Sequence, residues 1–386
     1  MNVAIGVLSK KKECNYRAVM THLRIAVQGC AHGELVNIYN HVARQYASEM
    51  PDILIVLGDF QSLRDEDDMD SIAVPDKYKK LGDFPKYFTG ELEAPLLTIF
   101  IGGNHENMRG LAELPRGGFV AKNIYYMGYS GSIVVQGVRI SGLSGIYKSH
   151  DFERPRASLS QIKAEGWGRH VRNMYHVRKT DVLPLFMLTQ TDIMLSHDWP
   201  NGIAHHGDLK KLLKQKPFFK RDIFNNDLGS PVNWQLLRKL TPCWWLSAHL
   251  HVKFEAQVAL NKRARNESTE NTDSNEIDLG LDDDEDDGDD DANIETSEKT
   301  NFLALDKCGR NRKHMEIITV EADTSHPTFH PEAVQIYVDP EFVANQQFLE
   351  KNPPKSRLEH ISFESLRERR GELGEIDWES YRLNYA

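Results

Sequence analysis

The chain has 386 residues, with 47 Lys+Arg against 57 Asp+Glu, and its formal net charge at pH 7 is −10. Taken whole, this acidic balance argues against a nucleic-acid partner. The acids are concentrated, however, because residues 267–298 hold 16 Asp+Glu and no Lys or Arg. Outside that segment, 41 acids face 47 bases, so the remaining 354 residues carry a formal charge of +6. The part of the chain that can fold is therefore basic.

Composition also indicates in which cellular compartments the protein is expected. Four cysteines in so long a chain are too few for a disulfide scaffold, which indicates a reducing environment. No apolar run approaches the roughly 20 residues that a membrane helix needs, so we expect no membrane partner. The N-terminus lacks the charged, apolar and small-residue order of a secretory signal. The cytosol or the nucleus remains.

The first strand pattern is residues 23–27, and we interpret residues 1–19 before it as a disordered N-terminal extension. Short apolar runs follow, and each ends in Gly, Asp, Asn or His. These runs are residues 53–57, 96–101, 193–195 and 244–246. Continuous apolar runs of this length are typical of strands buried on both faces. Because a helical pattern lies between them at residues 34–49, and residues 124–147 alternate as antiparallel strands do, the sequence predicts an α/β fold.

A polar segment divides the chain. Residues 261–300 are rich in Asn, Ser, Thr and acid, and cannot recover the entropy cost of folding, so we predict a disordered acidic linker. The simplest interpretation is a solvated spacer, and recruitment of a basic partner is the alternative. The main domain then covers residues 20–260. We expect residues 301–386 to form a C-terminal region packed on it, with strands at 302–305 and 315–320.

Potential metal ligands follow five of the predicted strands. The motifs are Cys30-x-His32, Gly58-Asp59, Gly103-Asn104-His105-Glu106, His197-Asp198 and His249-Leu250-His251. Alone, each is weak evidence, since a histidine after a strand is usually a loop residue and Gly-Asp is usually a turn. Together they indicate a site, because ligands of open α/β sheets bind at the carboxyl ends of the strands.

The residue types favour a two-metal hydrolase. A carboxylate such as Asp59 can bridge two cations, and imidazoles with a thiolate favour Zn²⁺ or Fe²⁺ over Mg²⁺. Such a pair can stabilise the attacking and leaving oxygens of a displacement at phosphorus. His105 does not easily share a metal with Asn104, because neighbouring side chains diverge. We therefore expect His105 to act as a general acid or as a positive partner for the phosphoryl oxygens.

The order of these motifs resembles the calcineurin-like metallophosphoesterase superfamily, a four-layer αββα sandwich around a dinuclear centre. Most of that superfamily has Asp at the first ligand position, where this chain has Cys30. In having Cys at this position, the chain resembles one branch of the superfamily, the RNA lariat debranching enzymes. The likeness covers residues 23–260 and, more loosely, the chain from 301 onward. It is carried by residues 73–78, 100–106, 144–148, 175–178, 195–200, 247–254 and 302–308.

The resemblance implies two ligand sets that share Asp59. One metal would be held by Cys30, His32, Asp59 and His251, and the other by Asp59, Asn104, His197 and His249. His105 would be the catalytic histidine. The metals implied are Fe²⁺ and Zn²⁺, with Mn²⁺ as an alternative. The implied reaction is hydrolysis of the 2′–5′ phosphodiester at the branch point of excised intron lariat RNA: metal-activated hydroxide attacks phosphorus and linear RNA results.

The resemblance further implies an inserted lariat recognition loop at residues 147–178. Its basic residues alternate with aromatic ones, a pattern suited to phosphate contacts and to stacking of unpaired bases. We predict RNA contacts at Lys148, Tyr175, His176 and Arg178. A solvated surface helix with core aromatics is the alternative for this segment.

Two other functions stay open at this point. One is a calcineurin-like phosphatase or nucleotidase with a different substrate, which Cys30 and the basic insertion argue against. The other is a metal-free interaction scaffold, which would require lost ligands, whereas every expected position is filled. The resemblance implies branched intron RNA as the partner, and hence the nucleus, with the cytoplasm as a second location. We expect a monomer and identify no protein partner.

Overall fold

The computed structural model describes residues 21–260 and 298–385. The predicted extension at residues 1–19 and most of the predicted linker lie outside the described residues. The strands are β1 (His22–Gln28), β2 (Ile53–Val56), β3 (Leu97–Phe100), β4 (Gly118–Ala121), β5 (Ile124–Tyr126), β6 (Ser130–Val135), β7 (Val138–Leu143), β8 (Ile193–Ser196), β9 (Trp244–Ser247), β10 (Phe254–Leu260), β11 (Glu298–Ala304), β12 (Met315–Glu321) and β13 (Ile336–Val338).

The helices lie between these strands and after them. They are α1 (Leu35–Gln45), α2 (Phe84–Phe88), α3 (Met108–Ala112), α4 (Ser149–Phe152), α5 (Leu159–Glu165), α6 (Trp167–Met174), α7 (Lys179–Phe186), α8 (Leu209–Gln215), α9 (Phe219–Phe224), α10 (Pro231–Leu240), α11 (Pro340–Lys351) and α12 (Phe363–Arg370). No helix among the described residues is both long and apolar enough to cross a membrane.

Two sheets stack face to face. The first has six strands in the order β12-β1-β2-β3-β5-β4, and the second has seven in the order β10-β11-β9-β8-β7-β6-β13. Alternate residues of a strand point to opposite faces. Leu23, Ile25 and Val27 of β1 accordingly join the core between the sheets, while Ala26 joins the core under α1. Helices cover both outer faces, so the predicted four-layer αββα sandwich is confirmed.

Helix α1 illustrates how the sequence forms these outer layers. Its buried residues are Leu35, Ile38, Tyr39 and Val42, which fall on one face at helical spacing. That face packs on the first sheet beside Leu54 of β2. The helix ends at Gln45, four residues before the end of the predicted pattern. Its N-terminus places the preceding Cys30–His32 turn at the carboxyl edge of the sheet.

One predicted boundary differs from the structure. Residues 298–300 were expected in the linker, but they begin β11, and Thr300 is buried. Residues 301–386 were expected to pack on the main domain, and they do so by supplying strands to both sheets. Strand β11 lies between β9 and β10, β12 pairs with β1, and β13 pairs with β6. An apolar strand pattern indicates burial and not the choice of partner strand, so these pairings could not be predicted from the sequence.

Candidate metal centre

The carboxyl ends of five strands meet at one edge of the sandwich. Strands β1, β2 and β3 run parallel in the first sheet, and β8 and β9 run parallel in the second. Each is followed by one of the predicted ligand motifs. The loops therefore converge as the sequence predicts, because parallel strands present their carboxyl ends at the same edge.

Four donor atoms form a tight first group. The thiol of Cys30, a ring nitrogen each of His32 and His251, and a carboxylate oxygen of Asp59 all lie within 4.8 Å of one another. His32 Nε2 is 3.2 Å from His251 Nε2. Cys30 and Asp59 are almost fully buried. Thiolate, imidazole and carboxylate donors at this spacing could hold one divalent cation.

A second group lies against the first. His197 Nε2 is 3.2 Å from Asn104 Oδ1 and 3.4 Å from Asp59 Oδ1. The His249 ring centroid is 5.0 Å from that of His197. His197 Nδ1 donates to the carbonyl oxygen of Leu57 at 2.7 Å, which leaves Nε2 as the lone-pair nitrogen facing the group. These donors could hold a second cation.

Asp59 connects the two groups through its two oxygens. Oδ1 faces His197, whereas Oδ2 is 3.7 Å from His32 Nε2. Burial alone would raise the pKa of Asp59, but the neighbouring His197, His32 and His105 outweigh burial and lower it. The carboxylate is thus ionised and placed between both groups, as a bridging ligand must be.

Whether these residues can bind divalent cations depends on their protonation states. Burial lowers the pKa of the four histidines, His251 to about 3, so the imidazoles are neutral and can bind a metal. Burial, with the charge of Asp59, raises the pKa of the Cys30 thiol well above its usual range. A bound cation would reverse that effect, since a coordinating thiol is deprotonated. The donor set therefore fits a pair of divalent metals.

The backbone at the ligands is held in an unusual conformation. His32, Asp59, His249 and His251 have φ angles of 50°, 46°, 61° and 51°. Residues other than glycine seldom adopt this left-handed region, and such strain persists only where the surrounding structure enforces it. Its recurrence at four of the seven predicted ligands is typical of a functional site.

Two glycines allow the close approach of these side chains. A Cβ on Gly103 would lie 2.2 Å from Asp59 Oδ1, and one on Gly58 would lie 2.3 Å from His197 Nδ1. Gly58 also has a φ of +100°. Any larger residue at either position would displace a predicted ligand. The glycines of the Gly-Asp and Gly-Asn-His motifs are thus part of the site.

His105 is placed beside both groups. Its backbone N–H donates to Asp59 Oδ1 at 2.8 Å, and its ring centroid lies 5.8 Å from that of His32. Its Nδ1 is buried and has no hydrogen-bond partner among the described residues. A buried ring nitrogen without a partner is unusual in a folded protein, and its place beside both donor groups is consistent with a functional role.

Glu106 is a site residue for which the sequence predicted no role. It is fully buried and accepts the backbone N–H groups of Phe60, Gln61 and Gly103 at 2.7, 2.8 and 3.0 Å. Burial, with the charge of Asp59, raises its pKa to about 8. The sequence feature that could have pointed to Glu106 is its position directly after Asn104-His105. Glu106 joins the loops that carry Asp59 and Asn104.

The C-terminal region also reaches the centre, which the sequence did not predict. Cys308 donates its backbone N–H to the carbonyl oxygen of Cys30 at 2.8 Å, and Gly29 donates to His314 at 2.9 Å. After burial, Asp59 and His105, the charges of Lys307 and Arg312 act on the pKa of His32 and lower it. The turn between β11 and β12 therefore lies at the edge of the centre.

The insertion predicted at residues 147–178 lies beside the same edge. It is built from the short helices α4, α5 and α6 rather than from an irregular loop. Its ends meet where Ile146 donates to Tyr175 and accepts from Val177, at 3.2 and 2.9 Å. Gly145 enables this contact, because a Cβ there would lie 2.0 Å from the Tyr175 carbonyl oxygen. The insertion thus has a rigid base.

Two of the predicted RNA contacts face outward. Lys148 is exposed and its charge acts on buried Asp198, next to His197. Tyr175 is half-buried and packs against the core under α1, and its pKa is raised by burial, lowered by Arg172 and raised by Asp59. Both side chains keep exposed surface that a substrate could touch.

The other two predicted contacts are engaged within the protein. Arg178 is 2% exposed, and its guanidinium donates to the carbonyl oxygens of His176 and Asn173 at 2.9 Å each. The prediction that Arg178 contacts RNA is corrected, because this side chain braces the base of the insertion. His176 is buried, with Nδ1 2.6 Å from Asp151 Oδ2. That pairing leaves only its Nε2 side for other contacts.

Comparison with known proteins identifies the family to which the chain belongs. The calcineurin-like phosphoesterase model matches residues 23–253, and the model of the lariat debranching enzyme C-terminal domain matches residues 297–368. A lariat debranching enzyme of Saccharomyces cerevisiae is 51% identical over 383 residues, which cover 94% of this chain and 94% of that protein. This chain belongs to the lariat debranching enzyme family.

Animal members of the lariat debranching enzyme family are similar over a shorter span. Lariat debranching enzyme A of Xenopus laevis is 44% identical over 313 residues, which cover 79% of this chain and 52% of that protein. The lariat debranching enzyme of Homo sapiens is 42% identical over 310 residues, which cover 80% of this chain and 51% of that protein. The chain therefore spans about half the length of these two relatives. Residues matched by each of the two family models lie at the candidate metal centre of this chain.

Proposed function

We propose that this protein hydrolyses the 2′–5′ phosphodiester bond at the branch point of excised intron lariat RNA and releases linear RNA. The observation that carries the proposal is the group of Cys30, His32, Asp59 and His251, in which Cys30 and Asp59 are buried, with an insertion rich in Lys and Arg beside it. Cys30 at the position where most calcineurin-like enzymes have Asp favours the debranching branch over a phosphatase. Membership of the lariat debranching enzyme family supports the same reaction.

The metal ligands are proposed as two sets that share one carboxylate. Cys30, His32 and His251 hold one cation with Asp59, and Asn104, His197 and His249 hold the other with the same residue. Support comes from the distances within each group and from the two oxygens of Asp59 facing different histidines. A pair of divalent cations supplies a nucleophile at neutral pH and stabilises charge on the attacking and leaving oxygens.

The metals proposed are Fe²⁺ and Zn²⁺, with Mn²⁺ as the alternative. A thiolate with imidazoles prefers borderline or softer ions, and this preference argues against Mg²⁺ near Cys30. Elemental analysis of protein reconstituted with each ion is expected to give two metals per chain. Fewer than one metal per chain, together with absent activity, would instead support a metal-free scaffold.

The leaving 2′-oxygen needs a proton, and a residue of the chain is proposed to supply it. In the balanced reaction, a water oxygen bonds to phosphorus, the bond from phosphorus to the branch 2′-oxygen breaks, and that oxygen gains a proton. His105 is proposed to donate this proton or, when charged, to stabilise the phosphoryl oxygens. Its buried, unpartnered Nδ1 supports such a role. Asp59 holds the backbone of His105 in place through the 2.8 Å hydrogen bond.

A substrate comparison tests the reaction. The protein is incubated with a branched 2′–5′ RNA, a linear RNA of the same composition and a phosphomonoester. We expect cleavage of the branched RNA alone, with a 5′-phosphate on the product. Turnover of the phosphomonoester without cleavage of the branch would overturn the proposal in favour of a phosphatase.

The site also suggests how the protein is organised in the cell. All seven proposed ligands come from one chain, which supports action as a monomer; light scattering that gave a dimer mass would contradict this. We further propose that the protein resides in the nucleus, where introns are excised, with the cytoplasm as a second location. Imaging of the tagged full chain tests this, and exclusion from the nucleus would refute it.

A further inference from the structure

A second cluster of basic residues lies outside the inserted helices. Residues 210–221 hold six Lys or Arg residues and no Asp or Glu. They cover helix α8, the turn after it and the start of α9. The six bases are Lys210, Lys211, Lys214, Lys216, Lys220 and Arg221. We call residues 210–224 the basic ridge.

The cations of the basic ridge are free to bind anions. Lys216 is partly buried and the other five are exposed. None of the six takes part in an ion pair within the described part of the chain. In the insertion, by contrast, Arg156 is paired with Asp181 and Arg169 with Glu165. The one acid within the ridge, Asp222, forms no ion pair with these cations among the described residues. Surface cations without an ion pair suit a chain of phosphates.

The basic ridge also exposes two large aromatic rings. Phe218 is 67% exposed and Phe224 is 89% exposed. The ring of Phe218 rests edge-on against Phe219 at 4.8 Å, and Phe219 is buried, so Phe218 has rigid support. Lys216 Nζ lies 5.8 Å from the Phe218 ring centroid. Proteins that bind single-stranded nucleic acid typically combine exposed aromatic rings, on which bases stack, with surrounding cations.

The basic ridge is continuous with the candidate metal centre. Just before it, Gly207 pairs with Ala256 of β10, the strand that begins three residues after His251. Lys216 lies within electrostatic range of the turn between β11 and β12, where Arg312 is paired with Asp306 at 2.7 Å and Lys307 is not in an ion pair among the described residues. That turn is joined to the Cys30 loop through the backbone of Cys308. The turn therefore connects the centre to α8.

We propose that the basic ridge, together with Lys307, Arg310 and Lys313 of the adjoining turn, binds a single-stranded arm of the branched RNA as it leaves the scissile phosphate. This inference rests on the proposed function and deepens it. Single-stranded RNA is the occupant because paired bases cannot stack on Phe218 and Phe224. The protein then holds its substrate at two places, the insertion and the ridge.

The first test removes charge. The variant Lys214→Gln/Lys220→Gln is compared with Arg44→Gln/Arg238→Gln, which removes two exposed, unpaired cations near the opposite ends of the strands. We expect the ridge variant to bind a branched RNA with a long unstructured arm about tenfold more weakly at low salt, with a salt slope smaller by about 1.4. A branched RNA with the arm cut to one nucleotide is expected to bind both variants like wild type. Equal losses in the two variants would overturn the proposal.

The second test removes the rings. Phe218→Ala/Phe224→Ala is expected to weaken binding of the long arm about tenfold, and to have no effect when the arm is abasic or paired with a complementary strand. Circular dichroism checks that the variant is folded. Equal affinity of this variant and wild type for the unpaired, base-bearing arm would refute the stacking role.

A third comparison separates this inference from the proposed function. Cleavage of the one-nucleotide-arm substrate reports on the metal centre alone. Wild-type cleavage of that substrate with unchanged long-arm affinity in the ridge variants would refute the ridge and leave the function intact. Loss of affinity for an oligoglutamate peptide with unchanged RNA affinity would assign the ridge to a protein partner and overturn the proposal.

Discussion

The carboxylate of Glu106 accepts a hydrogen bond from the backbone N–H of Phe60 at 2.7 Å, across 46 residues of chain. Its two oxygens also accept from Gln61 and Gly103. One buried side chain thereby satisfies three amides in two loops, and those loops carry Asp59, Asn104 and His105. The rigidity of the centre depends on a residue that is itself not a proposed ligand.

Replacement of Glu106 by Ala is expected to be severely destabilising. It leaves three buried N–H groups without an acceptor, at a cost of about 1–3 kcal/mol each. Urea denaturation should show a loss of about 3 kcal/mol or more in the free energy of unfolding. Glu113→Ala is the control, because Glu113 is exposed and only its pair with Arg64 is lost, worth less than about 1 kcal/mol. Similar losses in both variants would contradict the role of Glu106.

Replacement of His105 by Ala should separate catalysis from binding. We expect kcat on branched RNA to fall by about 10²–10⁴, because proton transfer to the leaving oxygen is lost. Metal content and RNA affinity should stay at wild-type values, since His105 belongs to neither proposed ligand set. His22→Ala, an exposed histidine at the start of β1, is the control and should retain full activity. A near-normal rate for His105→Ala would show that the catalytic proton comes from elsewhere.

Replacement of Cys30 by Asp should change the preferred metal. The carboxylate is harder than the thiolate, so the ratio of Zn²⁺ to Mn²⁺ taken up from an equimolar mixture is expected to fall. Elemental analysis gives this ratio directly. Cys308→Ser is the matched control, because Cys308 contacts the Cys30 loop through its backbone N–H. The same ratio in wild type and Cys30→Asp would exclude Cys30 as a ligand.

Replacement of Gly103 by Ala should damage the centre without removing any ligand. The added methyl would lie 2.2 Å from Asp59 Oδ1 and 2.8 Å from His197 Cε1, so both side chains must move. We expect loss of bound metal in calorimetric titration. Gly168→Ala in α6 is the opposite case, with open space around the new Cβ, and should stabilise the protein by about 0.5–1 kcal/mol. Normal metal binding by Gly103→Ala would show that the loops tolerate the shift.

Arg178 and Lys148 should differ in what they support. Arg178→Ala removes hydrogen bonds to two carbonyl groups at the base of the insertion, so chymotryptic cleavage within residues 147–178 is expected to accelerate. Lys148→Ala should leave proteolysis unchanged and weaken RNA binding, because Lys148 is exposed and forms no ion pair within residues 21–260 and 298–385. The reverse result would restore Arg178 as an RNA contact.

Much of the site was predictable because it lies at strand ends. Buried parallel strands appear in sequence as short apolar runs, and the polar residue after each run must face the same edge. Asp59, Asn104 and His197 were found in this way, and the structure brings them together. The runs themselves became β1, β2, β3, β8 and β9, with small changes at their ends.

The errors have a common physical cause, which is that a sequence pattern does not specify a contact partner. Arg178 looks like an RNA contact because it is charged, but its guanidinium is engaged by carbonyl groups of nearby residues. Glu106 binds amides from another loop, and no side-chain pattern marks those amides. Strand β11 enters between β9 and β10 although most of a long polar segment separates it from either in sequence.

The placement of β11 has a consequence for synthesis on the ribosome. Among the described strands β9 pairs with β8 and β11 alone, so its outer edge stays open until residue 304 has emerged. At about 5–20 residues per second, the polar segment alone delays that event by seconds. Throughout this interval the nascent chain presents an unpaired apolar edge, which is a hazard for aggregation. Strand β11 closes the edge, and synthesis through residue 314 then secures the Cys30 loop, so the metal-centre end of the protein is completed only after the polar segment has been made.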